Sequence, residues 1–175
     1  MNSLDLLNFN SDALIAITSV CAVIISIISM IFTVIFSLFQ IKHNKNSVKP
    51  ISAVRFRDYE NEIVVKIQNV GTGPLTIKKL LFKNDFKESS SLISMMPHID
   101  QLWTTFTESV DGWTIPVDGQ LILLKLRPKN DKIKSTVRKE LSTITLYLEY
   151  TDIYNTNFQD KRSLSFFGRH FKEVV

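Results

Sequence analysis

The chain has 175 residues, a net charge of +4 and 45% hydrophobic residues, room for one compact domain and one extra element. Bulk composition is globular, but its distribution is not: no Lys or Arg precedes Lys42, and residues 13–39 hold no charge, Gly or Pro. A simple soluble protein is excluded by that segregation.

The first predicted element is a transmembrane helix over residues 13–41. Its uncharged run of 27 residues would extend roughly 40 Å as a helix, more than the roughly 30 Å hydrocarbon core of a bilayer. A cleaved signal peptide fits less well. The preceding residues carry Asp5 and Asp12 and no base, the apolar run is too long, and no A-x-A site follows it. Behind the run come Lys42, Lys45, Lys49, Arg55 and Arg57, with no acid before Asp58. Basic flanks stay on the cytoplasmic side, so residues 1–12 are expected outside, 42–50 as a basic juxtamembrane linker, and 51–175 as a cytoplasmic domain. The sole cysteine, Cys21, lies in the helix, which agrees with a reducing compartment for the domain.

The helix carries a polar stripe. Ser19, Ser26, Thr33 and Gln40 recur every seven residues, Asp12 extends the series backwards, and Ser29 and Ser37 fall beside it. At 100° per residue they occupy an arc of roughly 100°. Two readings are open. Small and hydroxyl residues let helices pack closely and hydrogen-bond across the seam. Alternatively, rings of these residues from several copies line a pore. Both require a partner, and with one span per chain a homo-oligomer is the natural one.

From residue 51 the hydrophobic period changes to two. Residues 51–57, 62–68, 75–82, 120–126, 143–150 and 157–167 are predicted strands, and the whole is expected to be an antiparallel β-sandwich or barrel. The glycines of Asn69-Val70-Gly71-Thr72-Gly73-Pro74 are expected to supply positive φ in a turn. Two short helices are predicted, one within 89–109 and one over 131–141.

Catalytic motifs are lacking. His43, His98 and His170 are dispersed, and there is no nucleophile elbow, zinc motif or phosphate loop. The expectation is a non-enzyme without a cofactor. Charge segregation is the stronger signal. Lys125, Arg127, Lys129, Lys132, Lys134, Arg138 and Lys139 fall within fifteen residues against one acid, Asp131. One reading is a solvated face, or a patch on anionic lipid. The other is a phosphate-binding surface for a nucleotide or oligonucleotide, with Tyr147, Tyr150, Tyr154 or Phe158 available for stacking. Residues 88–118 hold five acids and no Lys or Arg, and could pair with the basic run on a neighbouring copy.

The plan of one N-terminal helix and a small β domain resembles bacterial single-pass membrane proteins that share three pieces. These are the strand beginning at Pro50, the Asn69-x-Gly71-x-Gly73-Pro74 turn and the Tyr150-x-Asp152-x-Tyr154 segment. The whole-chain layout is similar to membrane effectors of anti-phage systems of the Hailong and CBASS kind. The resemblance implies a bacterial inner-membrane location and a β domain controlled by a nucleotide signal. In the Hailong kind the signal is a deoxyadenylate oligomer that holds a channel closed. The expectation is therefore an oligomeric ion-conducting effector of four or more copies. The alternative is a membrane-tethered adaptor whose β domain docks a protein.

Overall fold

The computed structural model describes the backbone of residues 3–171 and the side chains of 11, 13–169 and 171. It falls into two units, a helical one up to Asn46 and a β domain from Ser47.

Helix α1 runs without interruption from Ser3 to Ser47. From Ala13 it is long and apolar enough to cross a membrane, and none of that stretch is buried by protein. An apolar helix with no buried face needs lipid or a partner around it. It does not stop at residue 41: the basic segment expected as a linker is helical through Ser47. Lys42 and Lys45 are good helix formers, and Lys45 in the last turn faces the negative end of the helix dipole. Pro50 disfavours helical backbone at Lys49 and sets the limit.

The second unit is an antiparallel β-sandwich, as the alternating pattern predicts. One sheet has β1 (Ser52–Tyr59), β2 (Glu62–Asn69), β7 (Gln120–Leu126) and the short β5 (Thr105–Phe106), in the order β1-β2-β7-β5. The other has β3 (Leu75–Lys83), β4 (Glu88–Ser89), β8 (Thr145–Thr151) and β9 (Asn157–Ser163), in the order β4-β3-β8-β9, with β6 (Thr114–Ile115) also on β3. Ile63, Val65 and Ile67 of β2 and Leu124 and Leu126 of β7 face Ile77, Leu80 and Phe82 of β3 and Leu146 and Leu148 of β8, all essentially inaccessible. Each such side chain contributes about 1.5–3 kcal/mol on burial.

Helix α2 spans Asp131–Thr143. The Asn130 side chain accepts a hydrogen bond from the Ile133 amide at 2.8 Å, a cap that stabilises by about 1 kcal/mol. Lys134, Val137 and Leu141, spaced three and four apart, form its buried face. A 3₁₀ helix over Ser165–His170 packs beside it and buries Phe167.

Two predicted elements change. No α-helix forms in 89–109; the end of β4, a 3₁₀ turn at Ile93–Met95, loop and the short β5 hold that stretch. Pro97 blocks a continuous helix, and Leu92, Met95 and Val110 reach the core without one. The final strand ends at Ser163 instead of 167, because Leu164 and Phe167 are buried from the 3₁₀ helix.

Candidate functional site

In the β domain, the segment that follows α1 is held from two sides. Gly71 and Gly73 adopt no positive φ, so their expected role is corrected; among the described glycines only Gly112 does. They are needed for close approach. A Cβ on Gly71 would lie 2.3 Å from the Ile51 nitrogen, and one on Gly73 would lie 1.8 Å from the Val48 oxygen. The Thr72 amide donates to the Lys49 carbonyl at 3.1 Å, and the Val70 amide to the Ile51 carbonyl at 2.9 Å.

Asn69, fully buried at the end of β2, organises this clamp. Its Oδ1 accepts from the Gly71 amide at 3.0 Å and the Ile51 amide at 3.4 Å. Its Nδ2 donates to the Gly73 carbonyl at 2.7 Å and to those of Ile115 and Pro116, both at 3.2 Å. One amide therefore ties together the linker, the Gly loop and the strand β6 corner. From the opposite sheet, the Ser52 hydroxyl donates to Asp160 Oδ2 at 2.7 Å, and the Lys49 ammonium lies 5.3 Å from the Phe158 ring centre. Tyr150 stacks on Phe158 at 5.4 Å and its hydroxyl accepts weakly from the Ser52 amide at 3.5 Å. Asp152 builds the adjoining turn, its Oδ1 accepting from the Tyr154 and Thr156 amides at 2.8 Å. The glycine turn thus packs on residues 48–52, and of the second motif Tyr150 reaches Ser52.

In α1 the stripe divides by hydrogen bonding. Ser19 donates back to the Ala16 carbonyl and Thr33 to that of Ser29, both at 2.8 Å. Thr18, off the stripe, does the same with Leu14 and Ile15. Such back-bonds let a hydroxyl face lipid. Among the described residues, the side-chain groups of Ser26, Ser29, Ser37 and Gln40 make no such bond. The Asp12 side chain lies outside the described residues.

The seven basic candidates go to different places. Lys125 pairs with Glu62 at 2.8 Å, and Arg127, largely exposed, stands 3.8 Å from the same carboxylate. The Lys125 hydrogen bond, reinforced by the charges of Lys125, Arg127 and Arg57, holds the Glu62 carboxyl below its ordinary value despite partial burial. Lys134 is buried, and its ammonium donates to the Glu60 carbonyl at 2.6 Å. Arg138 grips Asp58 Oδ1 through Nε at 2.9 Å and a terminal nitrogen at 2.7 Å, while Arg169 stands 2.7 Å from Asp58 Oδ2. Those two cations are committed to holding α2 and the 3₁₀ helix on β1. Lys129, Lys132 and Lys139 remain exposed.

Lys129 lines an open cleft of about 920 Å³ together with His98, Asp100, Trp103 and Phe106. A neighbouring groove of about 510 Å³ shares His98, Asp100 and Lys129 and adds Lys132 at the start of α2. Gln101 fixes the cleft's edge, its Oε1 accepting from the Lys129 amide at 2.8 Å and its Nε2 donating to the Arg127 carbonyl. Of the aromatic candidates, Tyr147 lies between the Lys83 and Lys161 ammoniums, Tyr150 points inward, and Tyr154 is exposed at the hairpin turn. Trp103 and Phe106 line the same cleft as Lys129. No group of His, Cys, Asp and Glu among the described residues could hold a metal ion.

No family model, curated protein or solved structure matches the chain.

Proposed function

We propose that the protein is an oligomeric effector of the bacterial inner membrane. The polar face of α1 lines an ion pathway, and the cytoplasmic β domain sets its state according to a phosphate-rich ligand. The anti-phage setting follows from the resemblance in layout alone. The observation that carries the reading is the clamp on residues 48–52. A plain tether tolerates a loose, solvated linker. Here the helix ends at Ser47 and Val48 is already wedged against Gly73. The clamped residues are therefore the ones that directly follow α1 in the chain. A ligand shifts the pathway only if it binds one state better than the other. Lys129 and Lys132 offer cations, and Trp103 and Phe106 a stacking surface, for such a ligand, with His98 and Asp100 beside them.

A second reading keeps the clamp but makes the domain a docking module. Phe86 and Leu102 are 96% and 90% exposed, which suits a protein partner. Copy number and flux separate the two. A pore of single helices needs roughly four or more copies, an anchor one or two.

The test is ion flux in proteoliposomes with oligomer size measured alongside. Leu at Ser26 or Thr33 adds a dewetting constriction and lowers flux in an intact oligomer, whereas Ile28→Leu and Ile35→Leu leave it unchanged. Unchanged flux in both polar-face variants, with the oligomer intact, refutes the pore. Dissociation of the Ser26→Leu oligomer assigns the stripe to packing instead.

A further inference from the structure

We propose that the end of the β domain where the chain enters is a membrane-binding surface, its loop tips seated in the interface of a lipid bilayer. The strand register defines that end. Ser52 at the start of β1 pairs with Asn69 at the end of β2, and Gln120 at the start of β7 pairs with Gln68. In the other sheet, Thr151 at the end of β8 lies between Thr76 of β3 and Asn157 of β9. Loops 70–74, 116–119 and 152–156 therefore lie at the same end as Pro50. On them Val70, Val117, Ile153 and Tyr154 are between 40% and 56% exposed, and Ile51 joins them at 49%. Asn69 ties the first two loops together through the Gly73 and Pro116 carbonyls.

Single exposed apolar side chains are ordinary on a soluble surface; a group of them at one end of a domain is not. The three loops hold no Lys or Arg and only two acids. Asp152 is buried and bonded to the Tyr154 and Thr156 amides, which leaves Asp118 as their exposed charge. The opposite end differs. Phe86 is exposed there, but between Asp85 and Lys87, and the neighbouring turns add Glu60, Arg127 and Lys129. The chain itself indicates what covers the apolar end. Residues 13–41 carry no charge, and the β-domain unit begins at Ser47. Six residues of helix rise about 9 Å, against roughly 5–8 Å for one headgroup layer. The loops are thus tethered at the membrane surface. There aliphatic tips enter the acyl boundary, and Tyr154 suits a border that is apolar on one side and wet on the other. Lys49, exposed and bonded through its carbonyl to Thr72, adds a cation for headgroup phosphates. The inference rests on α1 crossing the bilayer; it depends neither on the pore nor on the Lys129–Lys132 cleft.

The experiment uses the full chain with Cys21→Ala in phosphatidylcholine nanodiscs, each variant carrying one fluorophore on an introduced cysteine. Quenching is read with nitroxides on the lipid acyl chains and with aqueous iodide. Labels on Val117→Cys and Ile153→Cys are expected to be quenched about twofold or more by the lipid nitroxides and shielded from iodide. A label on Asn61→Cys, in the β1–β2 turn, shows the reverse, and one on Val34→Cys reports the span itself. Adding Ile153→Asp with Tyr154→Asp lowers lipid quenching of the Val117→Cys label by about half or more, since charge is costly at that depth, while thermal unfolding confirms that the domain stays folded. Tip labels open to iodide, with the Val34→Cys label still quenched by lipid, overturn the surface and leave the span standing. Tip labels hidden from both quenchers assign this end to another copy or a protein and overturn it as well. A Val34→Cys label untouched by lipid nitroxides refutes the span, and the surface with it.

Discussion

The carbonyl oxygen of Val48 occupies the space that a side chain on Gly73 would need, 1.8 Å from where its Cβ would be. Gly73 is thus a matter of contact instead of backbone freedom, and the contact is made by the residue that directly follows α1. Gly112 is the opposite case, with φ of +84° and nothing within 4 Å of its would-be Cβ.

These two glycines give a paired test. Gly73→Ala must push the Val48 backbone aside. We expect it to accelerate hydrogen exchange at the Val70 and Thr72 amides about tenfold or more, and to abolish ligand-dependent flux. Gly112→Ala strains a left-handed backbone and costs about 1 kcal/mol, but leaves those amides protected. Equal exchange rates in the two variants would remove the clamp from the mechanism.

Asn69 carries the polar half of the same clamp. Asn69→Ala strands two amide hydrogens and the Gly73 carbonyl in a buried corner, the Pro116 carbonyl keeping the Gly119 amide, and stability should fall by about 3 kcal/mol. Asn157→Ala, at an exposed position at the start of β9, should stay within about 0.5 kcal/mol. Thermal unfolding of the detergent-solubilised chain reads both.

Arg138 and Lys139 are neighbours in sequence with opposite fates. The Asp58 side chain is fully inaccessible, and Arg138 donates to its Oδ1 through two nitrogens. Arg138→Ala leaves a buried carboxylate with Arg169 alone and is expected to cost about 3–5 kcal/mol. Lys139→Ala should be nearly silent in the same urea titration. A purely ligand-binding role for the basic run predicts no stability difference between them.

Glu62 sets a modest acid dependence. Its folded carboxyl lies below the ordinary value of 4.5, chiefly through the Lys125 hydrogen bond. A lowered folded value means the contribution is present above about pH 4.5 and is lost as pH falls through the folded value. Both partners are about four-fifths buried or less, at 20% and 24% exposure, so the effect should be under about 1 kcal/mol. Glu62→Gln should therefore show a shallower fall in melting temperature between about pH 5 and pH 3 than wild type. Parallel curves would mean that the pair contributes nothing.

Local pattern determined much of this protein. The charge-free run required an apolar helix, and alternation of period two placed six principal strands within a few residues, because burial of one sheet face imposes that period directly. The Ile133–Val137–Leu141 spacing marked α2 in the same way, while the Asn130 cap was seen only in the structure. The stretch 89–109 misled, since Leu92, Met96, Ile99 and Trp103 also follow a helical spacing, while their burial came from loop packing on the sandwich. Site chemistry was the least visible. Seven basic residues adjacent in sequence were sent to Glu62, to Glu60, to Asp58 and to an open cleft, because strand, loop and helix turn successive side chains in different directions. Val117 and Ile153, far apart in the chain, share one end of the sandwich that only the pairing of its strands creates. The clamp on residues 48–52 belongs with them: Asn69 and Gly73 reach it from one turn and Asp160 from β9, and only tertiary packing brings them within hydrogen-bonding or contact distance.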